Sequence, residues 1–240
     1  MGVQRRWRII PHDRGLISRI EALTGVSPVV AQLLAARGVH DPEAVKQFLE
    51  CKLSSLRDPE ELPGVEAASA RIADAIRSRR RIIVYGDYDA DGMTATAILY
   101  RGLKLLGADV GYYVPNRLEE GYGLSNEALQ LLAKRGANLI ITVDCGIASL
   151  TEAQTAKELG LELIVTDHHE MAESLPEAAA IVHPRLPGAA YPFTGLCGAG
   201  VAFKLAWAVC QRMSETKKVS EPLRDYLLAA LGLAAMGTVA

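Results

Sequence analysis

The chain has 240 residues and a mass of 25.8 kDa, and half of its residues are hydrophobic, so it can bury one large core beside a smaller subdomain. A formal net charge of −2 and an isoelectric point near 6.2 exclude nucleic-acid binding through the overall charge, so any such contact requires a local patch. The four cysteines are scattered without a CxxC pair, which argues against a disulfide framework or a zinc ribbon.

The N-terminal region predicts an arm and a small helical subdomain. The opening residues, MGVQRRWRII, lead into Pro11 and His12 instead of an apolar segment, so they do not make a signal peptide. No apolar run approaches membrane-spanning length, and we expect a cytoplasmic protein without membrane contact. Helical spacing of apolar residues between 16 and 49, and a Pro- and acid-rich linker at 54–64, predict a domain division into 1–64 and 65–240.

The second domain alternates strands and helices after a first amphipathic helix at 65–79. The predicted order is strand 82–86, helix 93–106, strand 109–115, helix 125–135, strand 138–144, helix 149–159, strand 161–166, strand 180–183, and helices 201–213 and 222–236. Near-continuous apolar strands in such an alternation are typical of a parallel sheet covered on both faces. We therefore predict an α/β fold with a doubly wound, mainly parallel sheet.

Acidic and imidazole side chains follow several of these strands. RIIVYGDYDADG ends in three carboxylates, VDCG ends the third strand, and TDHHE ends the fourth. The carboxyl ends of parallel strands share one edge of a sheet, where ligands bind, and like charges this close repel unless cations offset them. An oxygen-rich set with imidazoles suits manganese or magnesium better than zinc. The predicted metal ligands are Asp87, Asp89, Asp91, Asp144, His168 and His169.

Two metal ions a few ångströms apart would point to hydrolysis of a phosphoester or phosphoanhydride. Asp144 directly ends its strand and is best placed to bridge them. One histidine of the pair can ligate metal while its neighbour contacts the phosphate or protonates the leaving group, and Asp167 can orient an imidazole.

Weaker candidates concern the substrate. Arg117 in PNRLEEGYGLS can contact a phosphate or pair with a neighbouring glutamate, and Tyr122 is a possible stacking face. Gly198 and Gly200 precede a predicted helix, so their amides can cradle a phosphate, although close packing explains the glycines equally well.

Five segments carry a resemblance to a known family: YGDYDADGMTA, VPNRLEEGYGLS, VDCG, TDHHE and LCGAGVAFKL. In this order and spacing they resemble the DHH phosphoesterase superfamily and, within it, the RecJ family of single-stranded-DNA exonucleases. The resemblance implies a manganese- or magnesium-dependent enzyme of DNA recombination and repair that degrades single strands from the 5′ end and releases mononucleotides. It places catalytic and metal-binding roles on Asp89, Asp91, Asp144, His168 and His169, with Asp87 as a further ligand, and a 5′-phosphate role on Arg117.

The resemblance also implies what lies outside this sequence. A further catalytic Asp is expected after the GTVA segment at 237–240, so the chain resembles the N-terminal part of a longer catalytic core. We expect this segment alone to bind metal poorly and to have little nuclease activity. The expected partners are single-stranded DNA with a 5′ end and single-strand binding protein or a helicase, with the chain as a monomer.

Two other functions remain open at this point. One is a DHH phosphodiesterase that acts on short oligonucleotides or cyclic dinucleotides. The other is a noncatalytic DHH-like module that binds single strands or replication proteins.

Overall fold

The computed structural model describes residues 11–50, 52–116, 121 and 123–240. Its contacts separate two compact units, Met1–Arg57 and Asp58–Ala240. The basic N-terminal arm, Cys51, Arg117 and Tyr122 lie outside the described residues. The predicted domain division at residue 64 stays a prediction.

The first unit is a small helical one, as its apolar spacing predicts. Its helices are α1 (Arg14–Thr24), α2 (Pro28–Ala36) and α3 (Pro42–Glu50). Asp13 and Ser27 cap α1 and α2 by accepting hydrogen bonds from backbone amides in the first turn. The buried core of this unit consists of Ile20, Ala31, Leu34 and Val45.

The second unit is built on a five-stranded sheet. Its strands are β1 (Ile82–Tyr85), β2 (Val110–Tyr113), β3 (Leu139–Val143), β4 (Glu162–Thr166) and β5 (Ala180–Val182). They lie in the order β2-β1-β3-β4-β5, and every pairing is parallel. The chain leaves β1 for β2 on one side and then crosses to β3 on the other. The boundary between β1 and β3 is therefore the topological switch point, where open parallel sheets bind ligands.

Helices cover both faces of this sheet. Helices α4 to α9 span Val65–Arg77, Ala90–Leu105, Asn126–Lys134, Leu150–Glu158, Gly198–Met213 and Glu221–Val239. Alternate side chains of a strand point to opposite faces. Ile82 and Val84 join the core under α4, α5, α8 and α9, whereas Ile83 and Tyr85 join the core under α6 and α7. This arrangement confirms the predicted doubly wound fold.

Two helices begin three residues earlier than their apolar patterns predict, α5 at Ala90 instead of 93 and α8 at Gly198 instead of 201. Each early turn is stabilised by a side chain that accepts a hydrogen bond from a backbone amide. Asp89 accepts from the amide of Gly92, and the Cys197 sulfur accepts from the amide of Gly200. The added residues of these turns are only Ala, Asp and Gly, so the spacing of large apolar side chains gives no signal for them.

In the described part of the chain, no helix is both long enough and apolar enough to cross a bilayer.

Candidate active site

The loop after β1 brings two carboxylates to the switch point. Asp87 is buried, and one of its carboxylate oxygens accepts a hydrogen bond of 2.7 Å from the amide of Tyr88. Burial, reinforced by the charge of Asp89, raises the pKa of Asp87 despite that hydrogen bond. Asp89 is exposed and caps α5. A Cβ on Gly92 would stand 2.7 Å from the Cα of Asp87, so glycine allows the close return of the chain over this turn.

The third carboxylate of this loop binds a helix end. Both oxygens of Asp91 accept hydrogen bonds of 2.7 Å, one from the amide of Gly198 and one from that of Ala199. A carboxylate at a helix N-terminus is favoured by the helix dipole. Each oxygen keeps a lone pair, so these contacts leave Asp91 able to bind a cation.

The amides of Gly198 and Gly200, predicted as a phosphate cradle, have partners of their own. Gly198 donates to Asp91, and Gly200 donates to the Cys197 thiol. In this arrangement neither amide is free to bind a phosphate. The glycines serve close packing instead, because a Cβ on Gly198 would stand 2.6 Å from the Cβ and Cγ of Asp144.

Asp144, directly after β3, has an unusual backbone and environment. Its φ of 62° is in the left-handed region, which non-glycine residues adopt mainly where surrounding structure enforces it. The side chain is buried, and its Oδ1 lies 3.0 Å from Nε2 of His168. That contact lacks hydrogen-bond geometry, so Oδ1 is a buried acceptor without a directed donor among the described residues. Burial raises the pKa of Asp144 to about 6, and the nearby imidazole opposes this shift.

Asp167 orients the histidine pair that follows β4. One of its oxygens accepts from the amides of His168 and His169 and, at 2.7 Å, from Nδ1 of His169; the other accepts from the amide of Ile147. Burial alone would raise the pKa of Asp167, but the hydrogen bonds from His169 and the amides outweigh burial and hold it below its usual value. The same hydrogen bond raises the pKa of His169 to about 9.

Two residues beyond β5 complete the support of this pair. His183 is fully buried, and burial lowers its pKa. Its Nδ1 accepts from the amide of Arg185, so Nε2 carries the proton and donates to the carbonyl of His169 at 2.9 Å. The guanidinium of Arg185 donates to the carbonyl of His168. The sequence patterns do not single out Arg185, although it follows a strand that ends at the same edge of the sheet.

Two sets of side chains have geometry suited to metal ions. Ligand atoms of Asp87, Asp89 and Asp144 lie within 4.8 Å of one another, and so do those of Asp144, His168 and His169. Asp144 belongs to both sets. Its unsatisfied buried oxygen and its raised pKa are the features that a divalent cation would relieve, so the donor set fits hard ions such as Mn²⁺ and Mg²⁺.

The substrate residues predicted from sequence are only partly placed. Arg117 and Tyr122 lie outside the described residues, so their predicted roles stay predictions. Asp87, Asp89, Asp91, Asp144, Asp167, His168 and His169 do gather at the edge where β1, β3 and β4 end.

Replacing Asp167 by asparagine tests the orientation of His169. We expect the pKa of His169 in metal-free protein to fall from about 9 towards its ordinary value near 6.5, because the carboxylate that stabilises the imidazolium is removed. The lowered pKa of Asp167 stabilises the fold above its unfolded value of about 4, and the raised pKa of His169 stabilises the fold fully below its unfolded value of about 6.5. The variant should therefore lose most stability between about pH 4 and 6.5. Imidazole NMR titration in EDTA measures the pKa. Asp74→Asn, an exposed change on α4, is the control, and an unshifted His169 in Asp167→Asn would contradict the assigned hydrogen bond.

Comparison with known families agrees with this geometry. Residues 81–232 match the DHH family, N-terminal domain. The chain belongs to the DHH family. The match begins one residue before β1 and ends within α9, so it includes every residue of the two candidate metal groups.

The DHH chain also has similar relatives of known name. It is 43% identical over 235 residues to the single-stranded-DNA-specific exonuclease RecJ of Bacillus subtilis, covering 98% of this chain and 28% of that protein. The manganese complex of RecJ from Thermus thermophilus is 36% identical with a TM-score of 0.76, over 98% of this chain and 32% of that one. The magnesium complex from the same organism is 33% identical with a TM-score of 0.63, over 98% and 28%. The chain thus spans about a third or less of these relatives.

Proposed function

We propose that this chain is part of a metal-dependent exonuclease that hydrolyses single-stranded DNA from its 5′ end. The carrying observation is that two candidate ligand groups share Asp144 at the switch point. A shared carboxylate between two sites is the arrangement that two-metal phosphoryl hydrolysis uses. RecJ relatives with metal-bound structures support the substrate class, and the 5′ polarity rests on the resemblance to that family.

In this proposal Asp87, Asp89 and Asp144 would hold one ion, while Asp144 and His168, with Asp91 beside them, would hold the other. Bound divalent ions would supply Lewis-acid polarisation of the phosphate and a water of lowered pKa. Mn²⁺ and Mg²⁺ both suit this oxygen-rich set, and relatives carry either ion.

His169 suits proton transfer better than metal ligation. Its Nδ1 is bound to Asp167, and its pKa of about 9 keeps the ring protonated near neutral pH in the metal-free protein. The remaining nitrogen, Nε2, then carries a proton that can be donated to the leaving oxygen or to a non-bridging phosphate oxygen. Asp167, Arg185 and His183 hold the pair through side-chain and backbone contacts, which keeps this proton in place.

The proposal is tested by the metal content and substrate choice of the protein. In the longer exonuclease of which we propose this chain to be part, wild type should bind two Mn²⁺ per chain in calorimetry, and His168→Ala should bind one, because one of the two ligand groups loses the His168 imidazole. A 3′-labelled, 5′-phosphorylated single strand should shorten from its 5′ end in Mn²⁺, and a matched duplex should not.

Other outcomes would overturn particular steps. An unchanged metal count in His168→Ala contradicts the ligand assignment. Faster hydrolysis of a dinucleotide than of the long strand would replace the exonuclease by a short-substrate phosphodiesterase, and strand binding without metal-dependent hydrolysis would indicate a noncatalytic module.

A further inference from the structure

A cavity lies beside the histidine pair. Its volume is about 210 Å³, and its lining includes His168, Arg185, Thr194 and Gly195. Among the described residues, no carboxylate lines it. His168 also belongs to one candidate metal group, so this cavity and the proposed reaction centre lie on either side of the His168 side chain.

Arg185 gives the cavity a cation that hydrogen bonds hold in position and that can still bind a ligand. Its backbone amide is bound to His183, and its guanidinium donates to the carbonyl of His168. Within the described part of the chain, no carboxylate forms an ion pair with the Arg185 guanidinium, and the Arg185 side chain is exposed. A guanidinium has five N–H donors in a planar fork that matches phosphate oxygens, so donors remain for a ligand.

The loop before α8 adds a hydroxyl and an aromatic ring. Thr194 is exposed and forms no hydrogen bond within the described ranges, so its hydroxyl is free to donate. Phe193 is 55% exposed, and its ring lies 3.7 Å from the place where a Cβ on Gly195 would stand. The ring therefore lies next to Gly195, which lines the cavity, and more than half of its surface is open to solvent. Exposed aromatic rings beside cations are the features that bind single-stranded nucleic acid through base stacking and phosphate contacts.

We propose that this cavity is a nucleotide subsite, in which Arg185 and Thr194 bind the phosphodiester next to the one being hydrolysed and Phe193 stacks on the adjoining base. The inference rests on the proposed function, because it assigns a neighbouring nucleotide of the same substrate. Successive phosphates along one strand are separated by a single nucleotide, which is consistent with a cavity that shares His168 with the reaction centre.

A phosphate at this cavity has two possible sources in the substrate, an internal linkage and the 5′ terminus. The experiment uses 5′-phosphorylated hexathymidylates, each with one neutral methylphosphonate linkage, and a set without the 5′ phosphate. Dissociation constants come from fluorescence anisotropy, with Ca²⁺ replacing Mn²⁺ to limit hydrolysis. In wild type, neutralising one internal linkage should weaken binding about ten- to 150-fold, the size expected for a charge-assisted hydrogen bond.

Arg185→Gln keeps an N–H for the carbonyl of His168 but removes the charge. In this variant the same methylphosphonate should weaken binding less than about twofold, because its partner is already lost. Phe193→Ala should behave likewise towards an abasic residue at the adjoining position. Lys134→Gln removes an exposed cation from the far end of α6 and should leave the wild-type dependence on each linkage unchanged.

Each remaining outcome counts against a particular claim. If Arg185→Gln cancels the effect of the 5′ phosphate instead, the internal assignment is wrong. If it retains every linkage effect, or if it loses Mn²⁺ binding together with DNA affinity, Arg185 only supports His168 and the subsite is overturned. If wild type binds no oligonucleotide in Mn²⁺ or Ca²⁺, the proposed function itself fails and the inference falls with it.

Discussion

Asp144→Asn is expected to stabilise the metal-free protein while weakening its binding of manganese. In the metal-free fold the buried carboxylate is held at a pKa of about 6, and burial is the main cause. Keeping it ionised at pH 7 therefore costs about 1–3 kcal/mol, which a neutral amide of similar shape would recover. The same amide cannot serve as a charged ligand shared by both metal groups, so Mn²⁺ affinity should fall by more than about tenfold.

The pH dependence gives this prediction its sign. The folded pKa of Asp144 is raised above its unfolded value, so the wild type carries no penalty below about pH 4 and the full penalty above about pH 6. Urea unfolding in EDTA should thus show wild type and Asp144→Asn equally stable at pH 4 and the variant more stable at pH 7. Asp74→Asn, an exposed carboxylate change, is the control. A variant less stable than wild type at pH 7 would show that Asp144 is needed by the fold itself.

The position of the site follows from patterns that the sequence displays. Buried β1 and β3 end abruptly at Asp87 and Asp144, and parallel strands bring such ends to one edge. Alternation of strands with helices predicts the parallel sheet. Successive side chains of a strand point to opposite faces, so the side chains of β1 enter two different cores. These are local signals, so they can be read without knowing any contact between distant segments.

The supporting contacts depend on distant segments and give no such signal. Asp91 binds the amides of Gly198 and Ala199, which are 107 and 108 positions away along the chain. Arg185 reaches the carbonyl of His168 across the β4–β5 connection. Neither the acidic motif nor the strand pattern indicates these partners, because a hydrogen bond to a backbone group places little demand on the partner's side chain.

The backbone of Asp144 is a further feature that residue type conceals. A positive φ is usually expected at glycine, so the sequence predicts one at Gly146, which has a φ of 104°, and does not predict one at Asp144. The cross-strand threonine pair helps to hold the strand ends, since Thr166 Oγ1 donates to the carbonyl of Thr142 at 2.7 Å. The conformation of Asp144 thus depends on tertiary structure.

Gly198→Ala is expected to damage both stability and metal binding, although alanine is the better helix former. The new Cβ would stand 2.6 Å from the Cβ and Cγ of Asp144, so α8 or the carboxylate must move. We expect a loss of about 1–3 kcal/mol in the free energy of unfolding, as overpacking of a close contact costs. Manganese affinity should fall about tenfold or more, because the displaced group is the carboxylate common to both candidate metal groups.

Gly232→Ala is the matched control, because Gly232 lies within α9 and a Cβ there would meet nothing within 4 Å. That change should stabilise the protein by about 0.5–1 kcal/mol and leave manganese binding unaltered, since a helix-interior glycine only adds entropy to the unfolded chain. Chemical unfolding and calorimetric titration of both variants separate the two effects. If Gly198→Ala kept wild-type affinity and stability, α8 would not be packed against Asp144 as closely as the structure places it, and the helix would not hold the carboxylate in position.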